Sequence, residues 1–124
     1  MAEKKKILIV DDDKFLLDIY SLKFKSGGFE VDTAFGGEEA IKKIKESKPD
    51  ILLLDIVMPG MDGIEALQKI KSEKIDGGMN IIILSNQSQQ SDIDKATELG
   101  VEGYIIKASS TPSEVLEKVK NIIK

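Results

Sequence analysis

The sequence contains neither cysteine nor histidine. Disulfides, a thiolate nucleophile, zinc ligation by Cys or His and a Ser-His-Asp triad are therefore all excluded. Arginine is missing too: all 18 basic residues are lysines, set against 22 acidic ones for a formal charge of −4. Bidentate phosphate clamping and a dense positive footprint are disfavoured, so nucleic acid is not expected as a direct partner. Long apolar runs are also lacking, and none approaches the roughly 20 residues that a membrane-spanning helix needs. Lys4-Lys5-Lys6 leads straight into a strand-like segment instead of a signal-peptide core. A cytoplasmic protein with no membrane partner is expected, and the lysine triplet is read as the solvated start of a strand. Chemistry is left to carboxylates, hydroxyls, lysines and hard cations.

At 124 residues the chain fits one domain, and a domain of this size buries about two-thirds of the surface its unfolded chain exposes. Ile7-Leu8-Ile9-Val10, Ile51-Leu52-Leu53-Leu54 and Ile81-Ile82-Ile83-Leu84 are continuously apolar, as strands buried on both faces of a parallel sheet must be. Phe29 to Phe35 and Val101 to Ile106 interleave Glu30, Asp32, Glu102 and Gly103, which places them at the sheet edges. Helical spacing marks about Lys14–Ser26, Glu38–Ser47, Ile64–Glu73, Asp92–Leu99 and Pro112–Ile123. Ser91 with Asp94 and Thr111 with Glu114 have capping-box spacing, Pro112 suits a first helical turn, and Gly27, Gly28 and Gly100 follow helix ends. Asn86 to Ser91 reads as a loop. The resulting β-α alternation predicts an α/β, doubly wound, five-stranded parallel sheet of flavodoxin-like order 2-1-3-4-5, with helices on both faces.

Ligands of such folds bind beyond the carboxyl ends of the strands, which directs attention to Asp11, Asp12, Asp55, Ser85 and Lys107. The first and third strands are neighbours in the predicted order, and both deliver carboxylates to one edge. That is costly unless a cation is shared, and a hard divalent ion such as Mg²⁺ suits an all-oxygen shell. One carboxylate can then attack phosphorus while a lysine ammonium and a hydroxyl hold the transferring oxygens. Taken singly, an aspartate after a strand is ordinarily a turn or N-cap residue and a strand-end lysine is ordinarily solvated. Four such strand ends, together with the Met58-Pro59-Gly60-Met61-Asp62-Gly63 loop, are not explained by caps and turns.

Val10-Asp11-Asp12, Leu54 to Gly63, Leu84-Ser85 and Tyr104-Ile105-Ile106-Lys107 resemble the signature positions of bacterial two-component response-regulator receiver domains (CheY-like), over nearly the whole chain. The resemblance implies phosphorylation of Asp55 by a sensor histidine kinase or histidine phosphotransfer protein. It implies Mg²⁺ held directly by Asp12 and Asp55, by Asp11 largely through water, and by the Val57 carbonyl. Lys107 would pair with the phosphoryl oxygens and Ser85 would swing to bond them. Tyr104 would report that shift to the face made by the fourth helix, fifth strand and fifth helix, where a downstream protein target docks. The expected species is a stand-alone receiver spanning 1–124, a monomer or phosphorylation-dependent dimer, and a regulatory phosphoacceptor, not an enzyme. Read from the residues alone, Tyr104 is equally a half-buried strand aromatic.

The chain departs from the pattern after the site lysine and after the hydroxyl residue. The site lysine is commonly followed by Pro with a cis bond, but here by Ala108 and Ser109, so a trans link and a differently shaped loop are expected. Asn86 stands where a small residue is usual, and its amide either narrows access to the phosphate or bonds it. Val57 and Gln87 occupy the positions that tune phosphoryl lifetime. Val57 has no polar group to orient water and Gln87 would do so only weakly, so a relatively long-lived phosphoryl group is expected. On the first helix, Leu16, Ile19, Tyr20 and Phe24 form the predicted inward stripe. Phe15 and Leu22 either widen the buried arc, which is the expectation, or offer apolar surface to a kinase or phosphotransfer helix.

Other readings are a pseudo-receiver that only binds partners, a receiver cut from a larger regulator, an aspartyl-phosphate hydrolase and a flavin carrier. The hydrolase reading lacks the usual second Asp, because Val57 stands at that position. The flavin reading fails on Asp11-Asp12-Asp13, which repel a phosphate in the absence of a metal.

Overall fold

The computed structural model describes residues 4–86 and 89–123. Five strands, β1 (Lys6–Val10), β2 (Glu30–Ala34), β3 (Ile51–Leu54), β4 (Asn80–Ser85) and β5 (Gly103–Ile106), alternate with α1 (Lys14–Ser26), α2 (Gly37–Ser47), α3 (Gly63–Ser72), α4 (Gln90–Glu98) and α5 (Pro112–Ile123). The strands pair in parallel in the order β2-β1-β3-β4-β5, as the β-α alternation predicts.

Strand residues alternate between two cores, which explains the continuously apolar runs. Leu8, Val10, Leu52, Leu54, Ile81 and Ile83 pack against α2, α3 and α4 through residues such as Ala40, Ile44, Leu67, Ile70 and Ala96. Ile7, Ile9, Leu53, Ile82, Leu84 and Ile105 pack on the opposite face, against Leu17, Tyr20 and Phe24 of α1 and Val115 and Val119 of α5. A helix layer on each face leaves the three central strands no wet side, so both sets of side chains must be apolar. At about 1.5–3 kcal/mol per fully buried aliphatic side chain, these two cores supply most of the driving force for folding.

Helix boundaries follow local chemistry. Asp13 caps α1, its Oδ1 accepting from the N–H groups of Phe15 (3.0 Å) and Leu16 (3.2 Å). Thr111 and Glu114 form the predicted reciprocal box before α5, and an unpredicted one joins Asp62 and Glu65 at α3. The predicted Ser91–Asp94 box does not form. The helix α4 begins two residues earlier than expected, Gln89 is its N-cap without a side-chain bond, and the Asp94 carboxylate instead accepts from Gln90 Nε2 at 2.8 Å. The edge strands are shorter than predicted, because the outer residues of each segment have no ladder partner.

The α1 stripe is also corrected. Leu17, Tyr20 and Phe24 are the buried residues, while Leu16 and Ile19 sit half-buried at the margins. Phe15 (72 % exposed) and Leu22 (69 %) point to solvent, so the expectation of a wide buried arc fails.

Candidate functional site

Strand register assembles the site. Val10 is paired with Leu54, so the next residues, Asp11 and Asp55, leave adjacent strands side by side. The Asp55 N–H still bonds to Val10 O at 3.0 Å, and the Asp11 N–H to Ala34 O at 3.1 Å. Ser85 pairs with Ile106 at the end of the β4–β5 ladder, which puts Lys107 one step beyond it on the same edge.

The three consecutive aspartates have three different fates. Asp11 is buried, its Oδ1 accepting from the Asp13 N–H at 3.0 Å. Asp13 is spent on the α1 cap. Asp12 is exposed at the rim, and among the described residues its carboxylate has no hydrogen-bond or ion-pair partner. Asp55, 5 % exposed, accepts from the Ile56 N–H at 2.7 Å through Oδ1 and from Lys107 Nζ at 2.8 Å through Oδ2. Lys107 Nζ also lies 2.5 Å from Asp11 Oδ2. One ammonium therefore bridges the two buried carboxylates.

Burial of Lys107 disfavours its charged form, but hydrogen bonds from Asp11 and Asp55 and their negative charge outweigh that effect. The ammonium is held above the ordinary lysine range. Tyr20, buried on α1 beneath the cluster, has its phenol pushed up mainly by desolvation. Lys107 opposes that rise, while Asp11 and Asp55 reinforce it. Sequence periodicity placed Tyr20 inward but carried no signal that it would lie beneath the acids.

The side-chain oxygens of Asp11, Asp12 and Asp55 lie within 4.8 Å of one another. Three hard anionic donors converge there against a single lysine, with no histidine or cysteine in the sequence to add a softer ligand. That donor set fits a small oxygen-seeking divalent ion. Ser85, fully buried at the end of β4, joins the same edge. Val57 follows in the β3–α3 loop with its side chain 57 % exposed. Tyr104 is half-buried on β5 against the α2-α3-α4 core; its phenol is raised mainly by burial, with smaller contributions from Asp92 and Asp55. Gln87 lies outside the described residues.

Two residues support the site in ways that the sequence does not reveal. Gly63 opens α3 so close to β3 that a Cβ there would stand 2.1 Å from Asp55 O and 2.7 Å from Ile56 Cα. Its N–H bonds to Ile56 O at 2.8 Å, folding the loop back beneath the acid. The Asn86 Oδ1 accepts from the Ala108 N–H at 2.8 Å, so that oxygen is already engaged by the turn after β5. Lys107–Ser109 forms a 3₁₀ turn, and no cis peptide occurs among the described residues, as expected without proline.

A cavity of about 550 Å³ lies at the opposite edge among Lys45, Lys48, Asp50, Lys74 and Asp76. It is open to solvent, and its ionic groups are satisfied by neighbours, with Lys45 bonded to Glu73 (2.8 Å) and Lys71 to Asp76 (2.9 Å). Size alone gives it no chemistry.

A 2-1-3-4-5 sheet with paired acids at the β1/β3 switch point, and a hydroxyl and a lysine on the next two strand ends, defines a class of flavodoxin-like signalling domains. The chain belongs to the response regulator receiver domain family, whose pattern it matches over residues 7–120. It is 36% identical over 120 residues to the alkaline phosphatase synthesis transcriptional regulatory protein PhoP of Bacillus subtilis, covering 97% of this chain and 49% of that protein. The chain thus spans about half the length of that relative. A CheY-like receiver domain protein from Methanospirillum hungatei superposes with a TM-score of 0.88 at 33% identity, over 96% of this chain and 93% of the other. The chemotaxis protein CheY4 of Vibrio cholerae superposes at 0.89 and 24% identity, over 98% and 100%, a likeness of fold alone. Receiver domains of this family are regulatory and act in two-component signalling. No described helix is long and apolar enough to cross a membrane.

Proposed function

We propose that this chain, as a receiver domain spanning 1–124, accepts a phosphoryl group on Asp55 from a phosphohistidine of a sensor kinase or phosphotransfer protein, in the cytoplasm and in a Mg²⁺-dependent reaction. The observation that carries the reading is the convergence of the Asp11, Asp12 and Asp55 oxygens within 4.8 Å around one lysine. Asp12 and Asp55, the Val57 carbonyl and, through water, Asp11 would hold the ion. Mg²⁺, when bound, supplies charge neutralisation at the phosphoryl oxygens. Asp12 suits direct ligation because no group among the described residues competes for its carboxylate.

An Asp55 oxygen attacks phosphorus, the P–N bond to the donor imidazole breaks, and the imidazole leaves with that bond's electron pair. Lys107, already 2.8 Å from Asp55 Oδ2, neutralises the transferred oxygens, and Ser85 donates its hydroxyl to one of them. These partners exist only in the modified protein, so phosphorylation biases the fold toward the state in which Ser85 and Tyr104 have moved. The α4-β5-α5 face then changes for a downstream protein target.

Phe15 and Leu22, exposed on α1, offer a phosphodonor helix apolar contact, and Phe15→Ala should slow transfer from such a donor without unfolding the domain. Val57 brings no polar side chain to orient a hydrolytic water, which favours a long-lived acyl phosphate. Hydrolysis as fast as the quickest receivers show would remove that part of the reading.

Incubation with Mg²⁺ and acetyl phosphate should add one phosphoryl mass to the parent chain and none to Asp55→Asn. A parent chain that stays unmodified under forcing conditions leaves the pseudo-receiver reading. The relative's greater length keeps open a receiver that forms part of a larger regulator.

A further inference from the structure

We propose that Asn86 is a positioning residue for Lys107, acting through a hydrogen bond that ties the exit of β4 to the exit of β5; this rests on the reading of Asp55 as phosphoacceptor. Asn86 directly follows Ser85, the last residue of β4, and its Oδ1 accepts from the Ala108 N–H at 2.8 Å. Ala108 directly follows Lys107. The β4–β5 ladder ends at Ser85 and Ile106, so this side chain extends the pairing by one rung where backbone pairing has stopped.

The rung ties the turn to β4, whereas the turn's other backbone-directed bonds are internal to it. The strand β5 is a four-residue edge strand, and the turn after it is closed by its own bonds, Ser110 N–H to Lys107 O at 3.2 Å and Ser109 Oγ–H to Ile106 O at 3.3 Å. Lys107 must nevertheless aim one ammonium at two buried carboxylates on strands further into the sheet. A backbone swing of about 1 Å at the root of a group of this kind can cost on the order of a hundredfold in rate. Proline at 108 would carry no N–H, so the amide at 86 and the non-proline residue at 108 are two halves of one bond. The same bond couples the hydroxyl-bearing strand end to the lysine-bearing one, so Ser85 and Lys107 reach a phosphoryl group together.

The test reads two quantities: hydrogen exchange of the Ala108 amide in the unmodified protein, by NMR, and the rate of Mg²⁺-dependent phosphorylation by acetyl phosphate, by intact mass. Asn86→Ala should speed Ala108 exchange and slow phosphorylation, each by about fivefold, the change that one net hydrogen bond corresponds to. The half-saturating Mg²⁺ concentration should not move. Asn86→Asp, which keeps the acceptor, should retain the protection of Ala108. Ala108→Pro deletes the donor, and in that background Asn86→Ala should have no further effect on rate. Unchanged exchange and rate in Asn86→Ala, or full additivity with Ala108→Pro, overturns the proposal. A parent chain that is never phosphorylated defeats the phosphoacceptor reading instead, and Ala108 exchange then decides on its own whether Asn86 holds the turn.

Discussion

The two ends of the sheet handle charge in opposite ways. At the amino-terminal edge, ionic groups are exposed and matched locally: Asp50 Oδ2 accepts from the Lys6 N–H at 2.8 Å, Glu73 pairs with Lys45, and Asp76 pairs with Lys71. At the carboxyl-terminal edge two aspartates are buried, a third stands at the rim, and one lysine serves both buried acids. The first arrangement is finished, since every charge there has water or a neighbour. The second sets three carboxylates against one lysine, a charge imbalance that the proposed Mg²⁺ would offset. The difference locates function better than cavity size does, because the roomier cavity is at the finished end.

Removing the shared lysine tests that contrast most severely. Lys107→Met leaves Asp11 and Asp55 buried without a counter-ion, and breaking a buried pair in this way costs about 3 kcal/mol. Urea unfolding in chelator should show that loss. Mg²⁺ should restore more stability to the variant than to the parent, because the competing ammonium is gone. Equal Mg²⁺ stabilisation of both proteins would mean that lysine and metal do not share the cluster. Smaller in effect is Gly63→Ala. With Asp55 O 2.1 Å from the new Cβ, the backbone beneath the acid must shift, at about 1–3 kcal/mol and with slower phosphorylation. Gly36→Ala, with nothing within 4 Å of its Cβ, is the control. Matching losses at both positions would remove the role assigned to Gly63.

Most of this was legible in the sequence because parallel sheets write themselves plainly. A strand covered on both faces must be apolar throughout, and a residue that ends such a run is at the ligand-binding edge. Hence the sequence alone puts Asp11, Asp55, Ser85 and Lys107 at the strand ends where the structure has them. What could not be read was choice among near-equivalents. Leu16 and Leu17 are chemically identical neighbours, and only the entry angle of α1, set by the Asp13 cap, decides which faces inward. Ser91–Asp94 and Asp62–Glu65 have the same box spacing, yet only the second lies where its helix begins. Asn86 is unusual for its position, but its partner is 22 residues away, and a side-chain bond of that reach has no sequence signature. Gly63 fits any turn, and its closeness to Asp55 exists only in the packed structure.

The two ends should also lose stability at opposite ends of the pH scale. Lys107 is raised in the folded state, so its contribution is complete below the unfolded lysine value, about 10.4, and is lost as pH rises through the higher folded one. Asp76 is lowered, chiefly by its hydrogen bond from Lys71. Its contribution is present above the unfolded carboxylate value, about 3.9, and fades as pH falls through the lower folded one. In chelator, Lys107→Met should therefore flatten the alkaline limb of the stability profile and Asp76→Asn the acid limb. A crossed result, with Lys107→Met altering only the acid limb, would break the assignment of charge to each end.

The smallest effect expected is at Asp50. Its carboxylate receives the Lys6 N–H at the solvent-exposed start of β1, while Asp50 N–H bonds to Lys6 O at 2.9 Å and Asn80 N–H to Asp50 O at 2.9 Å. Asp50→Ala removes only the side-chain bond. Water can replace the lost acceptor at an exposed position, so the cost should be about 0.5–1 kcal/mol by urea unfolding, with phosphorylation of Asp55 unaltered. The backbone bonds keep β1 and β3 in register, and register is what sets Asp11 beside Asp55. A fall in phosphorylation rate in Asp50→Ala would show that the side chain itself helps hold that register, and the amino-terminal edge would then have to be counted as part of the site's support.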